Sequence, residues 1–224
     1  MAEIIVAFDQ PSGRDALALA DRLGDLEWAK IGSVLFVRDG PALVREFLAR
    51  GTRVFLDLKW HDIPSTVAGA VAAARDSGVH LATVHCLGGP AMLEAAARAA
   101  GEMALVGVTV LTSHDAAGFT KVVGRSVTDI GAEAARLGRM ALAAGLRGVV
   151  TSGQEIRGLR TALGNDAWIV VPGVRRPGDA SGDQARTVTP AEAVEWGATH
   201  LVVGRTLSDA PDPARVYREI LECV

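Results

Sequence analysis

DLKWHDIP, residues 57–64, ends a run of strand-forming residues with three charges in six positions. Asp57 lies two residues before Lys59, and Asp62 three after it. The run it closes, RVFLDLK (53–59), reads as a buried strand. Alternation puts Arg53, Phe55, Asp57 and Lys59 on one face and Val54, Leu56 and Leu58 on the other, which would pack on helices. Charges at the end of such a strand point to a sheet whose strand ends build a site. The lysine sharpens this. Of 23 basic residues only Lys30, Lys59 and Lys121 are lysines, and the other twenty are arginines. Arg keeps its proton and Lys can lose it, so a lysine retained against this bias suggests a transferable proton.

Outward from this stretch, short β-branched runs alternate with Ala/Leu/Arg-rich segments of helical period. The runs are 4–9, 28–34, 53–59, 81–85, 104–112, 148–152, 168–174 and 200–205. Helical patterns lie near 13–24, 39–50, 64–77, 89–100, 127–145, 154–163, 190–197 and 212–222. Eight βα pairs in this length predict an α/β fold of the (β/α)8, or TIM-barrel, kind, with residues 1–224 as one domain. A doubly wound open sheet is the alternative. It usually announces itself by a Gly-rich turn after the first strand, and that turn here, DQPSGRD (9–15), has one glycine.

Composition excludes several classes. The net charge is −3 and no basic stretch stands out, which argues against a nucleic-acid surface. Apolar runs are interrupted well before the length of a membrane span. The start MAEIIVAFDQ lacks the basic region of a signal peptide. Cys86 and Cys223 have neither metal-ligand spacing nor an evident disulfide role. A cytoplasmic protein is expected.

The barrel reading places functional groups at the C-terminal strand ends, where the βα loops form one face. Asp9, Lys30, Asp57, Lys59, His85, Thr112 and Arg205 all fall there. Each alone reads most simply as a structural ion pair or packing residue. Asp9, Lys30, Asp57 and Lys59 together, on three successive strands, do not. Removing charges from water costs several kcal/mol per ion unless they compensate one another. A second region, PGVRRPGDASGDQARTVTP (172–190), is a long Gly-rich segment that reads as a lid, and VVGRT (202–206) ends the last strand. The loops after strands seven and eight of such barrels often hold phosphate. Gly204 would admit backbone N–H groups, Arg205 would offer a two-pronged donor and Gln184 an amide. Arg175, Arg176 and Arg186 either assist or face solvent.

Taken together these residues resemble the orotidine 5′-monophosphate decarboxylase family. DLKWHDIPSTV (57–67) is similar to its D-x-K-x-x-D-I-P signature. The likeness continues in order through VAFD (6–9), AKIG (29–32), VTVLTS (108–113), PGVR (172–175), GDQARTVTP (182–190) and VVGRT (202–206). Departures are Trp60 where Phe is usual, Ser65 where Asn is usual, and Arg176 where many members have Pro. None falls on a charged position. The resemblance implies that Lys30, Asp57, Lys59 and Asp62 form an alternating charged array, with Asp62 supplied across a homodimer interface. It implies that Asp9 contacts ribose and that Ile63 and Thr66 reach the neighbouring site. Thr112 would bond the pyrimidine, Pro172 would line the pocket, and Arg175, Gln184, Gly204 and Arg205 would complete substrate binding at the phosphate. It implies no cofactor and no metal.

Two rivals remain at this point. One is an Mg²⁺-dependent barrel of the 3-keto-gulonate-phosphate decarboxylase or hexulose-phosphate synthase kind, which shares D-x-K-x-x-D; Ile63-Pro64 and GDQARTVTP argue against it. The other is a non-catalytic barrel that binds pyrimidine nucleotides. His61 and His85 read as surface, supporting or barrel-mouth residues, and His114 and His200 as packing residues. Lys121 reads as a solvated residue of a 113–126 loop.

Overall fold

The structure, a computed structural model, describes residues 2–176 and 188–224. Among them eight parallel strands close into a barrel in chain order. They are β1 (Glu3–Phe8), β2 (Trp28–Gly32), β3 (Arg53–Trp60), β4 (Leu81–His85), β5 (Ala104–Val108), β6 (Gly148–Val150), β7 (Trp168–Val171) and β8 (His200–Val203). Closure pairs β1 with β8, setting Ile4 beside Leu201 and Val6 beside Val203. The expected (β/α)8 architecture is therefore the one observed.

The strands are covered on both faces, which is why they read as apolar runs. Ile5, Phe55, Leu81, Val106, Val170 and Val202 fill the barrel interior. Ile4, Val54, Leu56, Ala82 and Leu201 belong to the larger shell beneath the helices. Gly148 is required where β6 meets β7: a Cβ there would lie 2.0 Å from the Trp168 carbonyl oxygen.

Polar groups plug the N-terminal end of the barrel. The Trp28 indole donates to Glu3 Oε2 at 2.6 Å, and the Arg53 guanidinium lies 4.4 Å from the Trp28 ring centroid. His200 Nε2 is 3.2 Å from the same Glu3 oxygen. Burial, partly offset by Glu3, holds the His200 ring down at about 4, so it is neutral near pH 7. His200 is thus a packing residue, as expected.

The helices are α1 (Gly13–Leu23), α2 (Ser33–Ala49), α3 (Pro64–Asp76), α4 (Gly89–Ala100), α5 (Ala116–Val123), α6 (Ile130–Ala143), α7 (Ile156–Leu163), α8 (Pro190–Glu195), α9 (Arg205–Ser208) and α10 (Pro213–Leu221). No described helix is long and apolar enough to cross a membrane.

Several expected boundaries move. Helix α2 begins at Ser33 rather than near 39, and is two helical pieces joined at Gly40 (φ 52°, ψ −142°). Pro41 disfavours a helical conformation in the residue before it, which explains the break. Strand β5 stops at Val108 rather than at 112. The expected 113–126 loop contains α5, capped by Asp115 accepting from Gly118 N and ended by left-handed Gly124. Lys121 is therefore an exposed helical residue rather than a loop residue. Strand β8 ends at Val203, so Arg205 opens α9 instead of closing the strand.

Candidate active site

A cleft of about 290 Å³ opens at the C-terminal mouth of the barrel. Its charged wall comes from the first three strands. Lys30 on β2 projects its ammonium to 3.4 Å from Asp9 Oδ1, just past β1, and to 3.9 Å from Asp57 Oδ2 on β3. Lys59 Nζ is 2.9 Å from each Asp57 carboxylate oxygen. The order Asp9–Lys30–Asp57–Lys59 thus alternates in sign across neighbouring strands. Gly32 clears room for this, since a Cβ there would come within 3.3 Å of Lys30 Nζ. The Lys30 and Asp57 side chains are only 11% and 14% exposed. Desolvating them costs several kcal/mol per ion, and apolar residues would fill the space more cheaply, so stability alone does not account for the array.

The end of β3 departs from a regular strand. Leu56 pairs with Ala82 and Trp60 with Val84, so β3 uses four steps where β4 uses two. The two extra residues are an even number. Inside–outside alternation therefore survives, and Phe55, Asp57 and Lys59 all line the cleft while Leu58 and Trp60 pack outward. The one-face expectation holds, although through a distorted strand. Lys59 has φ 52°, the only positive φ among the described non-glycine residues. Such a conformation costs ~1–3 kcal/mol in an ordinary residue. The Lys59 N–H donates to the Thr83 hydroxyl at 2.8 Å, and Thr83 donates to Asp57 Oδ1 at 3.0 Å. Thr83, inward on β4 and fully buried, was not singled out from the sequence. Alternation along LATVH places it beside the array and was a usable signal.

Thr112, Pro172, Arg175, Gly204 and Arg205 line the same cleft, Gly204 beside Asp9. The structure thus gathers Asp9, Lys30, Asp57 and Lys59 with these five. Arg175 is buried, its backbone N–H donating to Val188 O at 3.0 Å and its guanidinium to Val174 O at 2.9 Å. Arg176 turns to Glu219 of α10, at 3.0 Å. Gln184, Arg186 and most of the expected lid fall within 177–187, outside the described residues.

Asp62, Ile63 and Thr66 do not join the cleft of their own chain. All three are exposed where α3 begins. Asp62 accepts the Ile63 N–H at 2.6 Å and makes no ion pair among the described residues. Beside them His61 stacks on His85, ring centroids 5.5 Å apart. Burial first, then the neighbouring His61, Lys59 and His114, pushes His85 down to about 4. His85 Nδ1 accepts from Leu87 N at 3.3 Å, as a neutral ring can.

Fold and site together define an enzyme-type (β/α)8 barrel, with ionisable groups converging at the face where such barrels place their chemistry. Its sequence narrows this further. The chain belongs to the orotidine 5′-phosphate decarboxylase / HUMPS family, whose profile matches residues 2–220. The orotidine 5′-phosphate decarboxylase of Alkalilimnicola ehrlichii is 46% identical over 228 residues, spanning 98% of this chain and 96% of the relative. That of Anaeromyxobacter sp. (strain K) is 50% identical over 206 residues, spanning 92% and 88%. Among solved structures, orotidine 5′-phosphate decarboxylase from Lactobacillus acidophilus superposes with a TM-score of 0.88 at 31% identity, covering 99% of this chain and 98% of that one.

Proposed function

We propose that this chain decarboxylates orotidine 5′-phosphate to UMP and CO₂, the last step of de novo pyrimidine nucleotide synthesis, without cofactor or metal. The observation that carries the reading is Lys59. Its ammonium is held 2.9 Å from both oxygens of Asp57 at the wall of a substrate-sized cleft. Breaking the bond between C6 and the carboxylate leaves its electron pair on C6 as CO₂ departs. The pyrimidine delocalises that charge poorly, so fixed positive charge must stabilise it. Lys59 supplies the charge and then gives its proton to C6, becoming neutral until water reprotonates it. Asp57 keeps the ammonium aimed, and Lys30 balances Asp57 from the other side.

Gly204 and Arg205, with Gln184, take the phosphate, and Arg175 supports them. Asp9 meets the ribose, Thr112 the pyrimidine, and Pro172 lines the pocket. Binding energy from the phosphate, a group remote from C6, lowers the barrier there.

The working unit is a homodimer in which Asp62, Ile63 and Thr66 serve the partner's site. Asp62 has no cation of its own chain among the described residues. Val34 and Ile63, just past the ends of β2 and β3, are 61% and 63% exposed, which favours a covering partner there. The whole chain acts as one barrel unit. Its two unpaired cysteines agree with a cytoplasmic location.

The test is the absorbance of orotidine 5′-phosphate on mixing with purified protein, with and without EDTA. Turnover indifferent to EDTA is expected. Loss of turnover with EDTA would transfer the reading to the Mg²⁺-dependent barrels, and UMP binding without turnover would make this a nucleotide-binding barrel.

A further inference from the structure

We propose that Thr83 is a positioning residue for the Lys59–Asp57 pair, and that a single hydroxyl sets both partners. The kinetic consequence rests on the decarboxylase reading; the positioning itself rests on geometry. The orientation of this hydroxyl follows from its neighbours' chemistry. A backbone N–H can only donate, so Thr83 Oγ1 must accept from Lys59 N at 2.8 Å. A carboxylate can only accept, so the hydroxyl proton goes to Asp57 Oδ1 at 3.0 Å. The Lys59 ammonium returns to the same carboxylate at 2.9 Å. A ring of contacts therefore runs from the Lys59 backbone through Thr83 to Asp57 and back to the Lys59 side chain.

This ring sits where regular pairing fails. Between Leu56 and Trp60 the register of β3 against β4 shifts, and Lys59 takes its positive φ. The Thr83 hydroxyl supplies the acceptor that the displaced Lys59 N–H needs. It is fully buried, so water does not reach it as a ready substitute. Without it, the N–H loses its partner, the strained backbone loses a restraint, and Asp57 is free to rotate away from the ammonium. Serine would preserve this function and valine, nearly the same size, would abolish it.

The experiment compares Thr83→Val with Thr83→Ser. Under the decarboxylase reading, Thr83→Val lowers kcat by ~10–100-fold with KM changed by less than about threefold, because small misplacement of a reacting group is expensive. Thr83→Ser stays within about threefold of wild type. Equal losses in both variants, a loss confined to KM, or wild-type kcat in a folded Thr83→Val protein would overturn the proposal. A crystal structure of Thr83→Val decides the positioning without reference to substrate. Lys59 should leave positive φ, or its ammonium should leave one Asp57 oxygen; unchanged geometry overturns the inference. If the wild-type protein does not turn over orotidine 5′-phosphate, the decarboxylase reading falls and this structural comparison still decides the role of Thr83. Should the valine variant not fold, Thr83→Cys, a weak donor and acceptor of similar size, gives the same readouts.

Discussion

A lysine held at φ 52° with its ammonium on both oxygens of one carboxylate could be replaced by arginine without losing the charge. The difference between the two is the proton, which arginine does not give up. Lys59→Arg is therefore expected to retain UMP binding measured by calorimetry and to lose kcat by ~10²–10⁴-fold, the range for removing a general acid. A variant that turned over at the wild-type rate would leave Lys59 with an electrostatic role only. The sequence made Lys59 conspicuous because lysine is scarce in this chain and because Asp57 and Asp62 flank it. Thr83 carried no such mark. Threonine is an ordinary strand former, and only the shifted pairing of β3 on β4 gives its hydroxyl two partners. Asp62 was legible as a charged residue. That it lies outside its own chain's cleft was visible only through the family resemblance, because nothing in the spacing says which copy of the site it serves.

Among the elements, those opened by a first-turn proline were read nearly to the residue: α4 coincides with 89–100, and α3 begins at Pro64 as expected. Others failed for local reasons. SVLFVRD at the start of α2 looks like a continuing strand because two of its residues are valine, a β-branched residue disfavoured in helices. Tertiary context overrides that preference and leaves Val34 and Val37 exposed. The 113–126 segment held a legible signal, Asp115 followed by Gly118 and then Gly124, but its helix is only eight residues long. It is tied to the rest through α6, where Glu133 is buried between Arg125 and Arg136, each 2.7 Å away. Hydrogen bonds from Arg136 chiefly, aided by Arg125 and opposed by burial, pull the Glu133 carboxyl down to about 2 from its ordinary 4.5. A lowered folded-state value means the stabilisation is complete above pH 4.5 and is lost as pH falls toward 2. Glu133→Gln should therefore lower stability at pH 7 by ~1–3 kcal/mol, the scale for hydrogen bonds to charged groups. Denaturant titrations should show the gap between variant and wild type closing on acidification through that window. A gap that stays constant would mean the Glu133 charge is immaterial.

At the scale of the molecule, the two ends of the barrel are built from opposite logic. The N-terminal end packs Glu3, Trp28, Arg53 and a neutral, buried His200 in close contact, which suits a plug. The C-terminal end concentrates charge around open space, which suits a site. Asp62 belongs to neither arrangement within one chain, and the proposed homodimer resolves this by giving each cleft Lys59 from one copy and Asp62 from the other. Such sharing has a consequence that no monomeric enzyme can imitate. Lys59→Ala and Asp62→Ala proteins, each nearly inactive alone, would regain activity when mixed and allowed to exchange subunits. In a mixed dimer one cleft combines the intact Lys59 with the intact Asp62, while the other carries both lesions. Random reassortment makes half the dimers mixed, so symmetry limits the recovery to about one quarter of the wild-type activity per site. Turnover of orotidine 5′-phosphate, followed as a function of mixing ratio, measures it, with each variant alone as the baseline. Recovery approaching that limit at equal ratio supports a shared site. Mixtures that give only the sum of their parts, under conditions where mass spectrometry detects mixed dimers, would return Asp62 to its own chain.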